Sequence, residues 1–120
     1  MIPRVLVIHD RIESCDALTD VVGACGCDCR AASDCAAAMR EIARYRPDLV
    51  WLAGSVNDPA SATLFTLKRL TAERNPVPVI ATGMPHADDA WRRATARVIR
   101  RAIADADWQN KAIDAKAHAA

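Results

Sequence analysis

Short apolar runs alternate along this chain with stretches whose apolar residues recur every three or four positions. `RVLVI`, Arg4 to Ile8, is a β-branched run closing on His9-Asp10, the pattern of a buried strand. Residues 11–25 then carry Ile12, Cys15, Leu18, Val21, Val22 and Cys25 at helical spacing, with Gly26 in the position that ends a helix. `CDCRAA`, from Cys27, reads as a second short strand. Ser33 suits the N-cap of a helix through Tyr45, with Ala36, Met39, Ile42 and Ala43 facing inward.

Arg46-Pro47-Asp48 stops that helix and launches a third strand, Leu49–Ala53. Asp58-Pro59 has the form of a helix start, an N-cap acid followed by proline, and the helix it opens carries Leu64, Leu67 and Leu70 before Asn75-Pro76. `VPVIAT`, Val77 to Thr82, is a fourth strand. A fourth helix runs from Pro85 to about Asp105 with Trp91, Ala94, Val98 and Ala102 on one side. Strand and helix thus alternate four times with short loops. Strands apolar on both faces call for a parallel sheet covered by helices on each side, a doubly wound α/β fold.

Composition bounds what such a fold can do here. With 120 residues the chain is read as one domain, 1–120, and 52% hydrophobic against 26% charged residues places it with folded rather than disordered chains. The net charge of +1 gives no overall attraction to nucleic acid or an acidic membrane. The N-terminus meets His9-Asp10 too soon for a signal-peptide core or a membrane span, so a cytoplasmic protein is expected. The Ala-rich end, about 112–120, is expected to fray. Five cysteines are an odd number, and a reducing compartment disfavours structural disulfides.

The order of these blocks resembles the receiver domain of bacterial two-component response regulators. `RVLVIHD` looks like the first strand of that family, closing on a pair of acids. `GCDCRAASDCAAAMREIARYRPDLVWL` looks like its second strand, second helix and third strand, and `VPVIATG` like its fourth strand. The resemblance implies a flavodoxin-type sheet of strand order 2-1-3-4-5, with the fifth strand and fifth helix degenerate or truncated, because too little chain remains after Lys111. It also implies aspartyl phosphorylation at the end of the third strand, supported by Mg²⁺ on neighbouring carboxylates, a hydroxyl after the fourth strand and a lysine after the fifth. In that chemistry the cations offset the phosphoryl oxygens.

Carried across position by position, the family's pocket falls on His9 where the first acid belongs, Asp10 as the second, Ala53 as the phosphoacceptor, Thr82 or Gly83 as the hydroxyl, and Lys111 as a late candidate for the lysine. Ala53 has no nucleophile, and Asp10 alone is a weak Mg²⁺ ligand. The expected function is therefore that of a stand-alone pseudo-receiver in phosphorelay signalling, with no catalytic turnover and no cofactor. It would act through a signalling partner such as a histidine kinase or another regulator. A truncated sheet edge points to a homodimer as well.

Other side chains carry alternatives. Phosphorylation on a different carboxylate, Asp10, is one, while Asp58 is better used as a helix cap. His9 is either a ligand or proton carrier, or a strand-end histidine bonded to a loop. Cys25, Cys27 and Cys29, with Cys35 nearby, raise a thiol-based redox or metal sensor, against which stands the absence of a Cys-x-x-Cys pair. Arg93, Arg97, Arg100 and Arg101 crowd one side of the fourth helix and form a candidate partner-docking face. Without interleaved aromatics they do not read as a nucleic-acid surface. Trp51 is read as core packing near the missing acceptor.

Overall fold

The computed structural model describes residues 2–10, 15–82 and 89–119, with side chains for all of these except 15, 16 and 106–119. Four strands, β1 (Arg4–His9), β2 (Asp28–Ala32), β3 (Leu49–Ala53) and β4 (Val79–Thr82), form a parallel sheet in the order β2-β1-β3-β4. Helices α1 (Cys15–Ala24), α2 (Cys35–Tyr45) and α3 (Ala62–Ala72) connect successive strands, and α4 (Asp89–Ala119) follows β4. β1 and β3 lie at the centre, and Val5 to Ile8 and Leu49 to Ala53 are all at 0% exposure. That is the continuous apolar run a strand needs when both its faces are covered.

Alternation along these strands divides the core in two. Val5, Val7, Leu49, Trp51 and Ala53 meet Leu18, Val21 and Val22 of α1 and Ala96 and Ile99 of α4. Leu6, Ile8, Val50 and Leu52 meet Ala38 of α2 and Leu70 of α3. One layer is therefore α1 with α4, the other α2 with α3. This has a topological consequence. The step from β3 out to β4 uses α3, and a right-handed crossover from β4 to a further parallel strand outside it would place its helix on the same face as α3. α4 lies on the opposite face and is helical from residue 89 to 119. The fifth strand of the 2-1-3-4-5 order is accordingly absent among the described residues, and β4 is an edge.

Local sequence signals account for most element ends. After α1, Gly26 (φ 72°) donates to Gly23 O at 3.0 Å and Cys27 N to Val22 O at 3.3 Å, the paired bonds of a glycine-terminated helix. The residue pair around Pro47 ties the sheet together: Asp48 N donates to Arg4 O and Arg4 N to the Asp48 carboxylate, both at 2.8 Å.

Several expectations are corrected. The cap of α2 is Asp34, whose carboxylate accepts from Ala37 N at 2.6 Å, not Ser33. Ala36 and Ala43 face outward while Ala38 and Tyr45 are buried. A run of alanines carries too little difference in apolar area to set a helix phase, and the larger Tyr45 decides it. In α4 the buried side is Thr95, Ala96 and Ile99, leaving Ala94 exposed and Val98 at 45% exposure. Spacing from Trp91 fits either stripe, and the larger Ile99 takes the core. α4 also runs well past Asp105, because residues 106–119 hold no glycine or proline and many strong helix formers.

Helix α3 starts at Ala62 with Ser61 as its cap, three residues beyond the predicted Asp58-Pro59 start. Asp58 instead closes a turn, its carboxylate accepting from Ala60 N at 3.0 Å and its carbonyl from Ser61 N at 3.0 Å. Ser61→Ala is therefore expected to cost about 1–2 kcal/mol, and Asp58→Ala about 0.5 kcal/mol or less. Urea denaturation of the two variants checks the order; an equal or larger loss at Asp58 would restore the earlier start.

Candidate functional site

The carboxyl ends of β1, β3 and β4 bring three of the sequence-predicted positions into one row. His9 is in register with Ala53, and Ala53 with Thr82. In open α/β sheets this edge is where ligands bind. His9 is 3% exposed and Ala53 0%, so the row is closed over. The Thr82 hydroxyl accepts from Trp51 Nε1 at 2.7 Å, and the Trp51 ring stacks on Trp91 of α4 with centroids 6.3 Å apart. Trp51 is thus more than filler: its indole N–H, which needs a partner when buried, holds the hydroxyl on the neighbouring strand. Trp51 and Thr82 lie one step apart diagonally on the same face, a pairing visible only once the strand register is known.

Asp10 leaves this row. Its carboxylate turns to the other side of the sheet and meets the amino end of α3. It accepts from Ala62 N at 2.9 Å, Thr63 N at 3.4 Å, Ser61 Oγ at 3.1 Å and Ser55 N at 3.2 Å. Ser61 Oγ in turn accepts from Leu64 N at 3.3 Å, and Thr63 Oγ1 donates to Ser55 O at 2.9 Å. The first N–H groups of a helix have no partner inside it. Here Ser61 N goes to Asp58 O, Ala62 and Thr63 N to Asp10, and Leu64 N to Ser61. All four are satisfied, with the negative charge at the positive end of the helix dipole. Gly54 makes this approach feasible, since a Cβ there would overlap the Asp10 carboxylate and stand 3.1 Å from Thr63 Cγ2.

A magnesium ion needs several oxygen ligands in near-octahedral array. The described residues do not fit one: Ala53 offers a methyl group, and Asp10 is engaged by donors from Ser55, Ser61, Ala62 and Thr63. Among the described residues no three His, Cys, Asp or Glu side chains gather as a metal set. Gly83 lies outside the described residues. Lys111 falls within α4, not after a strand, and its side chain also lies outside the description.

Cys25, Cys27, Cys29 and Cys35 are free thiols. The first three pack against the α1/α4 core, with Cys25 Sγ donating to Ala96 O at 3.6 Å. Burial pushes the Cys25 and Cys27 thiols up from their ordinary range, with Arg100 pulling both the other way. Arg93, Arg97 and Arg100 stand along a groove of about 400 Å³ between α1 and α4. Arg101 is exposed on α4 but does not line it. Arg93, Arg97 and Arg100 thus stand beside α1, while Arg101 does not join them.

The sequence matches no family model and no curated protein. Its fold matches solved structures closely. The signal receiver domain of a putative Luxo repressor protein from Vibrio parahaemolyticus superposes with a TM-score of 0.74 at 15% identity, covering 93% of this chain and 98% of that one. The fold is that of a signal receiver domain. NtrX from Brucella abortus gives a TM-score of 0.73 at 18% identity, over 95% of this chain but only 29% of NtrX. The response regulator receiver protein from Pseudomonas putida gives 0.56 at 21% identity, over 80% of each chain. The receiver fold accounts for the 2-1-3-4 strand order, and the fifth strand, expected to be degenerate or truncated, is absent among the described residues, where α4 follows β4.

Two outcomes test this geometry. Asp10→Ala strands the Ala62 and Thr63 N–H groups and is expected to cost about 1.5–3 kcal/mol, with Asp10→Asn losing less because its amide oxygen still accepts. Gly54→Ala should destabilise by about 1–3 kcal/mol; denaturant midpoints read both, and a neutral Asp10→Ala would remove the clasp. For the thiols, a raised pKa means that the folded chain keeps them protonated to higher pH than the unfolded chain does. Iodoacetamide at pH 8 should therefore modify Cys25 and Cys27 more slowly in native than in urea-unfolded protein, as peptide mass mapping would show.

Proposed function

We propose that this chain is a pseudo-receiver, a receiver-fold module that works in two-component signalling by protein–protein contact and not by phosphoryl transfer. The observation that carries the reading is the employment of Asp10. The carboxylate the family would lend to Mg²⁺ is here the cap of α3, while the acceptor position holds Ala53. Without metal or nucleophile there is no phosphoryl turnover, and the module is neither an enzyme nor dependent on a cofactor. The hydroxyl of Thr82, which would report phosphorylation by moving, is held by Trp51.

The same facts weigh against Asp10 as the phosphoacceptor, since attack would require it to give up its bonds to α3. Burial that pushes the core-packed Cys25 and Cys27 thiols up weighs against a thiol sensor built on them. Among the described residues no helix is long and apolar enough to cross a membrane, in keeping with a cytoplasmic module. A kinase or another regulator is the partner class, and the uncharged edge strand β4 supports self-association.

A titration of Mg²⁺ with beryllofluoride tests the reading, followed by Trp51 fluorescence and by amide shifts at residues 9–10, 53 and 82. No saturable change is expected. Saturable shifts clustered at these residues would overturn the pseudo-receiver. Ala53→Asp is expected to lower stability, because it buries a carboxylate at a fully covered position, and to leave the chain unlabelled by acetyl phosphate.

A further inference from the structure

The groove between α1 and α4 has a chemistry that neither the strand-end row nor the core explains. Its floor is apolar but narrow: Ala24 of α1 is exposed, while Val21 beside it and Ala96 of α4 are largely buried. Its α4 rim carries Arg93, Arg97 and Arg100, spaced i, i+4 and i+7, so their guanidinium groups follow one line along two turns, about 10 Å. Arg100 Nη2 donates to Ala24 O at 3.3 Å, and Arg92 reaches the Asp20 carboxylate only at 3.9 Å. Among the described residues Arg93 and Arg97 form no ion pair, and Asp20 is the single acid lining the groove. Stacked like charges on one helix face repel one another unless a partner supplies anions.

We propose that this groove docks an acidic amphipathic helix of a protein partner, a proposal that rests on the protein-contact reading above. An α-helix laid between two others presents side chains at the same three- and four-residue spacing. Glutamates or aspartates at i, i+4 and i+7 of the partner meet Arg93, Arg97 and Arg100, and apolar residues on the adjoining face cover Ala24 and the methylene stems of these arginines. The apolar floor separates this partner from nucleic acid, whose phosphates would engage the rim and leave the floor bare. Arginine suits the role because its planar fork takes a carboxylate bidentately.

The test uses the full chain and a synthetic helical peptide with glutamates at i, i+4 and i+7 beside a leucine face, titrated at low ionic strength. Amide shifts are expected to saturate at Val21, Ala24, Ala96 and Arg97, with binding weakened about tenfold or more when glutamine replaces glutamate in the peptide. The double variants Arg93→Glu with Arg97→Glu, and the milder Arg93→Gln with Arg97→Gln, should each lose about tenfold or more. Asp20→Asn should tighten binding, and Arg40→Glu with Arg44→Glu on α2, in the other helical layer, should leave it unchanged. Equal affinity for the glutamine peptide overturns the proposal, as does binding indifferent to both Arg93/Arg97 variants. So does tighter binding of a single-stranded DNA oligonucleotide of the same charge as the glutamate peptide. These shifts lie away from residues 9–10, 53 and 82, so failure here is distinct from failure of the beryllofluoride titration.

Discussion

The upper edge of this structure depends on one carboxylate reaching the wrong helix. Asp10 crosses from the end of β1 to the first turn of α3 and takes two backbone N–H groups, a serine hydroxyl and a loop N–H. A charged acceptor at a helix amino end is stabilised twice, by hydrogen bonds and by the helix dipole. The β3–α3 loop is folded around this contact. Gly54 has no side chain to obstruct it, Ser55 supplies a donor and an acceptor, and Ser61 both caps the helix and donates to Asp10. Here the carboxylate is held by the scaffold on every side that the loop and the helix present.

The second determinant is where α4 packs. Turning back onto the α1 face, it closes one layer with Ala96 and Ile99 and brings Trp91 against Trp51. It also leaves β4 without an outer neighbour among the described residues and opens the arginine-lined groove beside α1. Surfaces in such a molecule come from the way its layers end, and one helix crossing to the other face creates two of them.

Much of this was legible in the chain. The order of elements and the double-sided burial of β1 and β3 follow from apolar periodicity, because runs such as `RVLVI` and `LVWLA` have nowhere to expose a polar face. The resemblance puts the phosphoacceptor position at Ala53, and the register does bring Ala53 into one row with His9 and Thr82. Less legible were the phases of α2 and α4. Their alanine-rich faces differ by little transferable area, so Tyr45 and Ile99 decide orientation through contacts that exist only after packing. The α3 start was misplaced because Asp58-Pro59 is a sound local cap, yet Ser61 gains a distant carboxylate that no local rule counts.

What the sequence determined by itself is the alternating parallel architecture, since it depends on residue type at positions set by local period. What only the tertiary structure decided is the use of the remaining groups. Asp10 became a helix cap, Trp51 the partner of Thr82, and Arg93, Arg97 and Arg100 the rim of a groove. Each of these pairs residues far apart in the chain, and the distance between them is set by strand register and by the face on which a helix lands, neither of which is written in any one segment.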